Sequence, residues 1–139
     1  MLPTIDLQDD AIVMVDQRKL PAQEVYVRCR TAPEVAKAIR TMVIRGAPAI
    51  GVAAAYGIAL GMKRSTATGT RQFAVDFQKT CDLMAATRPT AVNLFWALEL
   101  LQRRVQGFTV QWPTDRLNRS LLEEALAIAE IPMPWLRRF

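Results

Sequence analysis

Arg45-Gly46-Ala47-Pro48-Ala49-Ile50-Gly51 opens the longest uncharged run of this chain, which continues to Met62 and is closed by Lys63-Arg64. The run predicts a helix buried on all sides. From Gly46 to Met62 it is seventeen residues long, the short limit of about 17 for crossing a bilayer. Its alanines and glycines make it only weakly hydrophobic, so a core helix of a soluble domain is expected rather than a membrane span. Gly57 and Gly61, one turn apart, offer a face for close helix contact. Pro48 suits the first turn, where its missing N–H costs nothing. The first-turn N–H groups have no acceptor within the helix and carry the positive end of its dipole. With Arg45 just ahead of them and Gly46 allowing close backbone approach, they form a candidate anion site. The alternative is a loop that enters a tightly packed helix with Arg45 solvated, since the stretch is neither G-x-x-x-x-G-K-[ST] nor G-x-G-x-x-G.

Upstream of this helix, two short strands are expected. Ala11 to Val15 is rich in Ile and Val, and in Glu24 to Arg30 the residues Val25, Val27 and Cys29 alternate with polar neighbours. Thr31-Ala32-Pro33-Glu34 reads as a capping box that starts a first helix, running to about Val43 with Val35, Ala38, Ile39 and Met42 on its inner face. Downstream, Phe73, Phe77, Thr80 and Met84 mark a third helix. Thr90 is the expected cap of a fourth, with Leu94, Trp96, Leu98 and Leu101 inside. Gly107 to Pro113 breaks the chain, and Leu117, Leu121, Ala125 and Ile128 mark a fifth helix. The fold class is therefore α+β, mainly α: short N-terminal strands followed by a bundle of about five helices. Residues 1–130 read as one domain and 131–139 as a divergent tail, because Pro132 and Pro134 end any helix there.

The composition excludes several chemistries. There is no histidine, which removes histidine triads, histidine bases and histidine-ligated metals. Cys29 and Cys81 form no C-x-x-C pair and read as ordinary reduced thiols of a cytoplasmic protein. Asp6, Asp9 and Asp10 stand where a signal peptide would need a cationic and then an apolar segment. The net charge of +5 comes from scattered arginines rather than from a basic stripe, so nucleic acid is not an expected partner.

The run from Val43 to Gly57 resembles the signature of methylthioribose-1-phosphate isomerases, relatives of the alpha, beta and delta subunits of translation initiation factor 2B. Asp16-Gln17-Arg18-Lys19-Leu20-Pro21 resembles that family's "DQ-x-x-LP" element, and Arg88-Pro89-Thr90-Ala91-Val92-Asn93-Leu94 its "RPTAVNL" element. All three occur in the family's order and at about its spacing. The resemblance implies conversion of 5-methylthioribose 1-phosphate to 5-methylthioribulose 1-phosphate in methionine salvage, with no cofactor. It places substrate binding on Arg45, Gly46, Ala47 and Arg88, and no catalytic residue in this chain. Asn93 and Tyr56 also match the motifs, though helix capping and core packing account for them equally.

The resemblance further implies two domains and more than twice this length, with a catalytic cysteine and aspartate in a Rossmann-like second domain. That domain is not contained in these 139 residues. A truncated or frame-shifted chain, inactive alone, is the expectation, with a naturally short paralogue as the other reading. Two further functions stay open: a non-catalytic regulatory or scaffold subunit like the initiation-factor relatives, and a ribose-1,5-bisphosphate isomerase. A homo-oligomer is expected, because the tail residues Trp135, Leu136 and Phe139 have no evident core to join.

Overall fold

Short apolar segments near the N-terminus pair into a three-stranded antiparallel sheet in the order β1-β2-β3, formed by Ile5–Gln8, Ala11–Val15 and Tyr26–Cys29. In this computed structural model, residues 5–8, 10–44, 47–64, 70–89, 91–108 and 112–130 are described. Ile5 stands opposite Met14 in the first pair, and Ile12 opposite Cys29 in the second. The central strand β2 buries Ala11, Ile12, Met14 and Val15. β1 is not legible from the sequence, where Ile5 and Leu7 are two apolar residues among polar ones; pairing with β2 creates it. β3 is shorter than the expected stretch from Glu24 to Arg30, but its alternation holds, with Cys29 buried and Arg28 exposed.

Helix α1 (Ala32–Arg40) begins at the expected cap. The Thr31 hydroxyl oxygen accepts from the Glu34 N–H at 3.3 Å and donates to the Glu34 carboxylate at 3.1 Å. Its end corrects the expectation of a helix reaching Val43. The Met42 N–H bonds to the Ile39 carbonyl at 3.2 Å and the Val43 N–H to the Ala38 carbonyl at 2.9 Å. These are the two bonds of a Schellman motif, whose closing residue must be left-handed. Met42 takes that position with φ 66°. The turn points its side chain to solvent, 41% exposed, so Met42 is not the inner-face residue its spacing suggested. Val43 and Ile44 are then buried.

Helix α2 (Ala47–Lys63) is the centre of the molecule. It packs on α1, on α3 (Thr70–Ala85), α4 (Val92–Gln106) and α5 (Thr114–Glu130), and on β1 and β2. Such an axis needs small residues. A Cβ added at Gly57 would lie 2.7 Å from Met84 Cε and 2.9 Å from Val35 Cγ1; at Gly61 it would lie 2.8 Å from Ala32 Cβ. The close-packing face read from the Gly57 and Gly61 spacing is therefore present, and glycine lets α1 and α3 approach this closely.

The inner stripes of α3, α4 and α5 are those expected: Phe73, Phe77, Met84, Leu94, Leu98, Leu101, Leu117, Leu121, Ala125 and Ile128 are buried. Thr80 and Trp96 are half-buried. The start of α4 differs, because Ala91 occupies the N-cap position with no side-chain bond, whereas Thr90 was expected there. Thr90 itself and the 131–139 tail lie outside the described residues. Among the described residues, no helix is long and apolar enough to cross a membrane.

Candidate anion-binding site

The three motif elements, distant in sequence, meet around the N-terminal half of α2. The first is anchored where β2 ends. Asp16 is buried, and its backbone N–H donates to the Val25 carbonyl at 2.7 Å. Its carboxylate accepts from Arg18 three times: from the backbone N–H at 3.0 Å, from Nε at 2.9 Å and from Nη2 at 2.8 Å. Two parallel guanidinium bonds to one carboxylate are the strong form of this pair. The Arg18 side chain, then its backbone N–H, hold the Asp16 carboxyl down at about 2, against the opposing effect of burial. The next residue, Gln17, donates its N–H to the Val43 carbonyl at 2.8 Å. That bond ties the first motif to the buried Val43-Ile44 pair immediately before Arg45.

The third motif meets α2 from another side. A Cβ at Gly51 would lie 3.0 Å from the Asn93 carbonyl oxygen and 3.4 Å from Ala97 Cβ, so the backbones of α2 and α4 touch within two turns of each helix start. Asn93 is buried in the first turn of α4 and Tyr56 is buried within α2, both positions that packing explains. Arg88 lies in the short link between α3 and α4 and is half-buried. Two bonds fix that link. The Thr87 hydroxyl donates to the Met84 carbonyl at 2.6 Å, and the Arg88 carbonyl accepts from the Ala91 N–H at 3.0 Å.

Of the four expected binding residues, Ala47 is the first residue of α2 and Arg88 lies in the α3–α4 link; Arg45 and Gly46 lie outside the described residues. Sequence reasoning missed the Asp16–Arg18 pair. Its i, i+2 spacing belongs to neither helical nor cross-strand pairing, so no periodicity points to it.

Both cysteines are free and buried. Burial pushes the Cys29 thiol up to about 11 and the Cys81 thiol to about 12, with Glu34 adding to the first and Asp82 to the second. Neither is a thiolate at neutral pH. Among the described residues, no group of three or more Cys, Asp or Glu side chains could hold a metal ion.

Residues 43–131 match the model of the initiation factor 2 subunit family. The chain is 50% identical over 125 residues to the methylthioribose-1-phosphate isomerase of Syntrophotalea carbinolica, covering 90% of this chain and 36% of that protein. It is 50% identical over 127 residues to the enzyme of the same name from Geobacter sulfurreducens, covering 91% and 36%. Among solved structures, 5-methylthioribose 1-phosphate isomerase from Pyrococcus horikoshii matches with a TM-score of 0.85 at 39% identity, over 91% of this chain and 36% of that one. Subunit delta of translation initiation factor eIF-2B from A. fulgidus matches with a TM-score of 0.83 at 35% identity, over 94% and 37%. The chain thus spans little more than a third of the length of these relatives.

Proposed function

The chain belongs to the initiation factor 2 subunit family, and from that premise we propose that it is the substrate-binding N-terminal domain of a methylthioribose-1-phosphate isomerase, acting in methionine salvage in the cytoplasm. One observation carries the reading: the Gln17–Val43 bond and the Gly51–Asn93 contact gather the three motif elements at the start of one buried helix. The isomerases that match at about half identity over nine-tenths of the chain support it.

In this proposal the sugar's phosphate sits at the start of α2. The unpaired first-turn N–H groups, beginning at Ala47, donate to its oxygens, with Gly46 giving the close backbone approach. Arg45 adds a bidentate contact and Arg88 a second cation from the α3–α4 link. The phosphate on C1 blocks free ring opening, so isomerisation needs acid and base groups that titrate near the operating pH. The buried thiols of Cys29 and Cys81 do not, and Asp16 is committed to Arg18. Family resemblance assigns those groups to a cysteine and an aspartate of a second domain. This domain binds and orients, and no cofactor enters the proposal.

A second reading, a non-catalytic subunit, draws on the nearly as close fold of the initiation factor eIF-2B delta structure. Calorimetric titration of 5-methylthioribose 1-phosphate into the chain and into Arg45→Ala separates the two. A charge-assisted bond is worth about 1.5–3 kcal/mol, so roughly a tenfold or larger loss in Arg45→Ala is expected. Equal affinity in both proteins would refute the anion site and favour the second reading.

A further inference from the structure

The far end of α2 borders an open cavity, about 540 Å³ in volume, lined by β1, the last turns of α2 and the first turns of α5. Its α2 lining residues, Ala59, Leu60 and Lys63, stand 12 to 16 residues beyond Ala47, so at about 1.5 Å per residue this cavity lies roughly 18–24 Å along the helix from the proposed phosphate site. Its volume is in the range of about 300–1,000 Å³ typical of small-ligand pockets.

The lining divides by chemistry. Leu7 from β1, Leu60 from α2 and Leu122 from α5 supply apolar wall, with Leu60 buried and the other two half-buried. Asp115, Asn118 and Arg119 supply the polar side, and with Leu122 they fall at i, i+3, i+4 and i+7 on one face of α5. Lys63 at the rim is engaged by Asp10 at 2.6 Å. Among the described residues neither Asp115 nor Arg119 takes part in an ion pair. The Asn118 amide oxygen is shut away from solvent without a hydrogen-bond partner among the described residues.

We propose that this cavity binds an α-amino acid with an apolar side chain. The carboxylate pairs with Arg119 and the ammonium with Asp115. These two side chains stand one turn apart, with Cβ atoms about 5–6 Å from each other. That spacing lets them hold the two adjacent opposite charges of a zwitterion from either side. The side chain lies on Leu7, Leu60 and Leu122. A simple apolar anion meets only half of this arrangement, because it leaves Asp115 facing the ligand's apolar body.

The test is titration of the 139-residue chain with L-leucine, leucinamide and 4-methylpentanoate, followed by amide chemical shifts. Leucine is expected to shift Leu7, Leu60 and residues 118–122. Leucinamide lacks the carboxylate and 4-methylpentanoate lacks the ammonium, so each should bind roughly tenfold more weakly or worse. Arg119→Gln and Asp115→Asn change exposed side chains and should each weaken leucine by a similar factor while the chain stays folded. If 4-methylpentanoate binds as well as leucine, or leucine shifts none of these amides, or neither variant changes its affinity, the proposal is overturned. None of these readouts depends on sugar-phosphate binding.

Discussion

Gln17 donates its backbone N–H to the carbonyl oxygen of Val43 at 2.8 Å, joining the end of the strand layer to the segment that enters the central helix. The Val43 N–H is also used, by the Ala38 carbonyl at 2.9 Å. Both polar groups of this buried residue are therefore satisfied, and the chain two residues before Arg45 is held from two directions. Asp16 supports the arrangement, because its pairing with Arg18 fixes the turn in which Gln17 sits.

Asp16→Asn is expected to lower the thermal midpoint at pH 7. The folded Asp16 titrates at about 2, below its ordinary 3.8, so its contribution is fully present above 3.8 and is lost as the pH falls towards 2. The gap between parent and variant should therefore narrow below pH 4 and close near pH 2. Melts by circular dichroism across that range check this; a gap that stays constant with pH would assign the loss to packing instead.

Gly61→Ala should destabilise. Overpacking costs about 1–3 kcal/mol, while replacing a helical glycine by alanine recovers about 1 kcal/mol. The obstructing atom is Ala32 Cβ at 2.8 Å, part of a helix backbone unit that cannot swing aside. Urea unfolding of the two proteins gives the difference, and a variant as stable as the parent would mean that α1 and α2 separate without cost.

Leu121→Ala removes a fully buried side chain of α5. A loss of about 2–5 kcal/mol is expected, read from the urea midpoint at unchanged slope. A loss under 1 kcal/mol would mean that the bundle collapses into the space.

Thiol reactivity gives a separate check on the core. With Cys29 at about 11 and Cys81 at about 12, both buried, a thiol reagent at pH 7.5 should label neither in the native chain and both in denaturant. Rapid native labelling of either would place it at the surface.

Association is the remaining expectation. Val92 is 72% exposed on the first turn of α4, and Leu20 and Met42 are also exposed. We propose that such apolar area draws copies of the chain together, with the +5 charge opposing weakly because the Debye length is about 8 Å at physiological salt. Light scattering over a dilution series should give a mass that falls with concentration; a monomer mass at high micromolar concentration contradicts the proposal.

The sequence by itself determined the helices and which faces they bury, because a stripe repeating every three to four residues is a local property of the chain. Phe73, Phe77 and Met84, or Leu117, Leu121, Ala125 and Ile128, needed no partner to be read as core. Motif resemblance likewise pointed to Arg45, Gly46, Ala47 and Arg88 before any fold was known. Tertiary structure alone decided what depends on residues far along the chain. β1 exists because β2 pairs with it; Met42 leaves the core because α1 ends in a left-handed turn; Ala91 takes the cap position expected for Thr90. The Gln17–Val43 bond and the Gly51–Asn93 contact each join residues more than twenty positions apart. No periodicity encodes such pairs, because they form only when the packed helices and sheet bring the two backbones together in space.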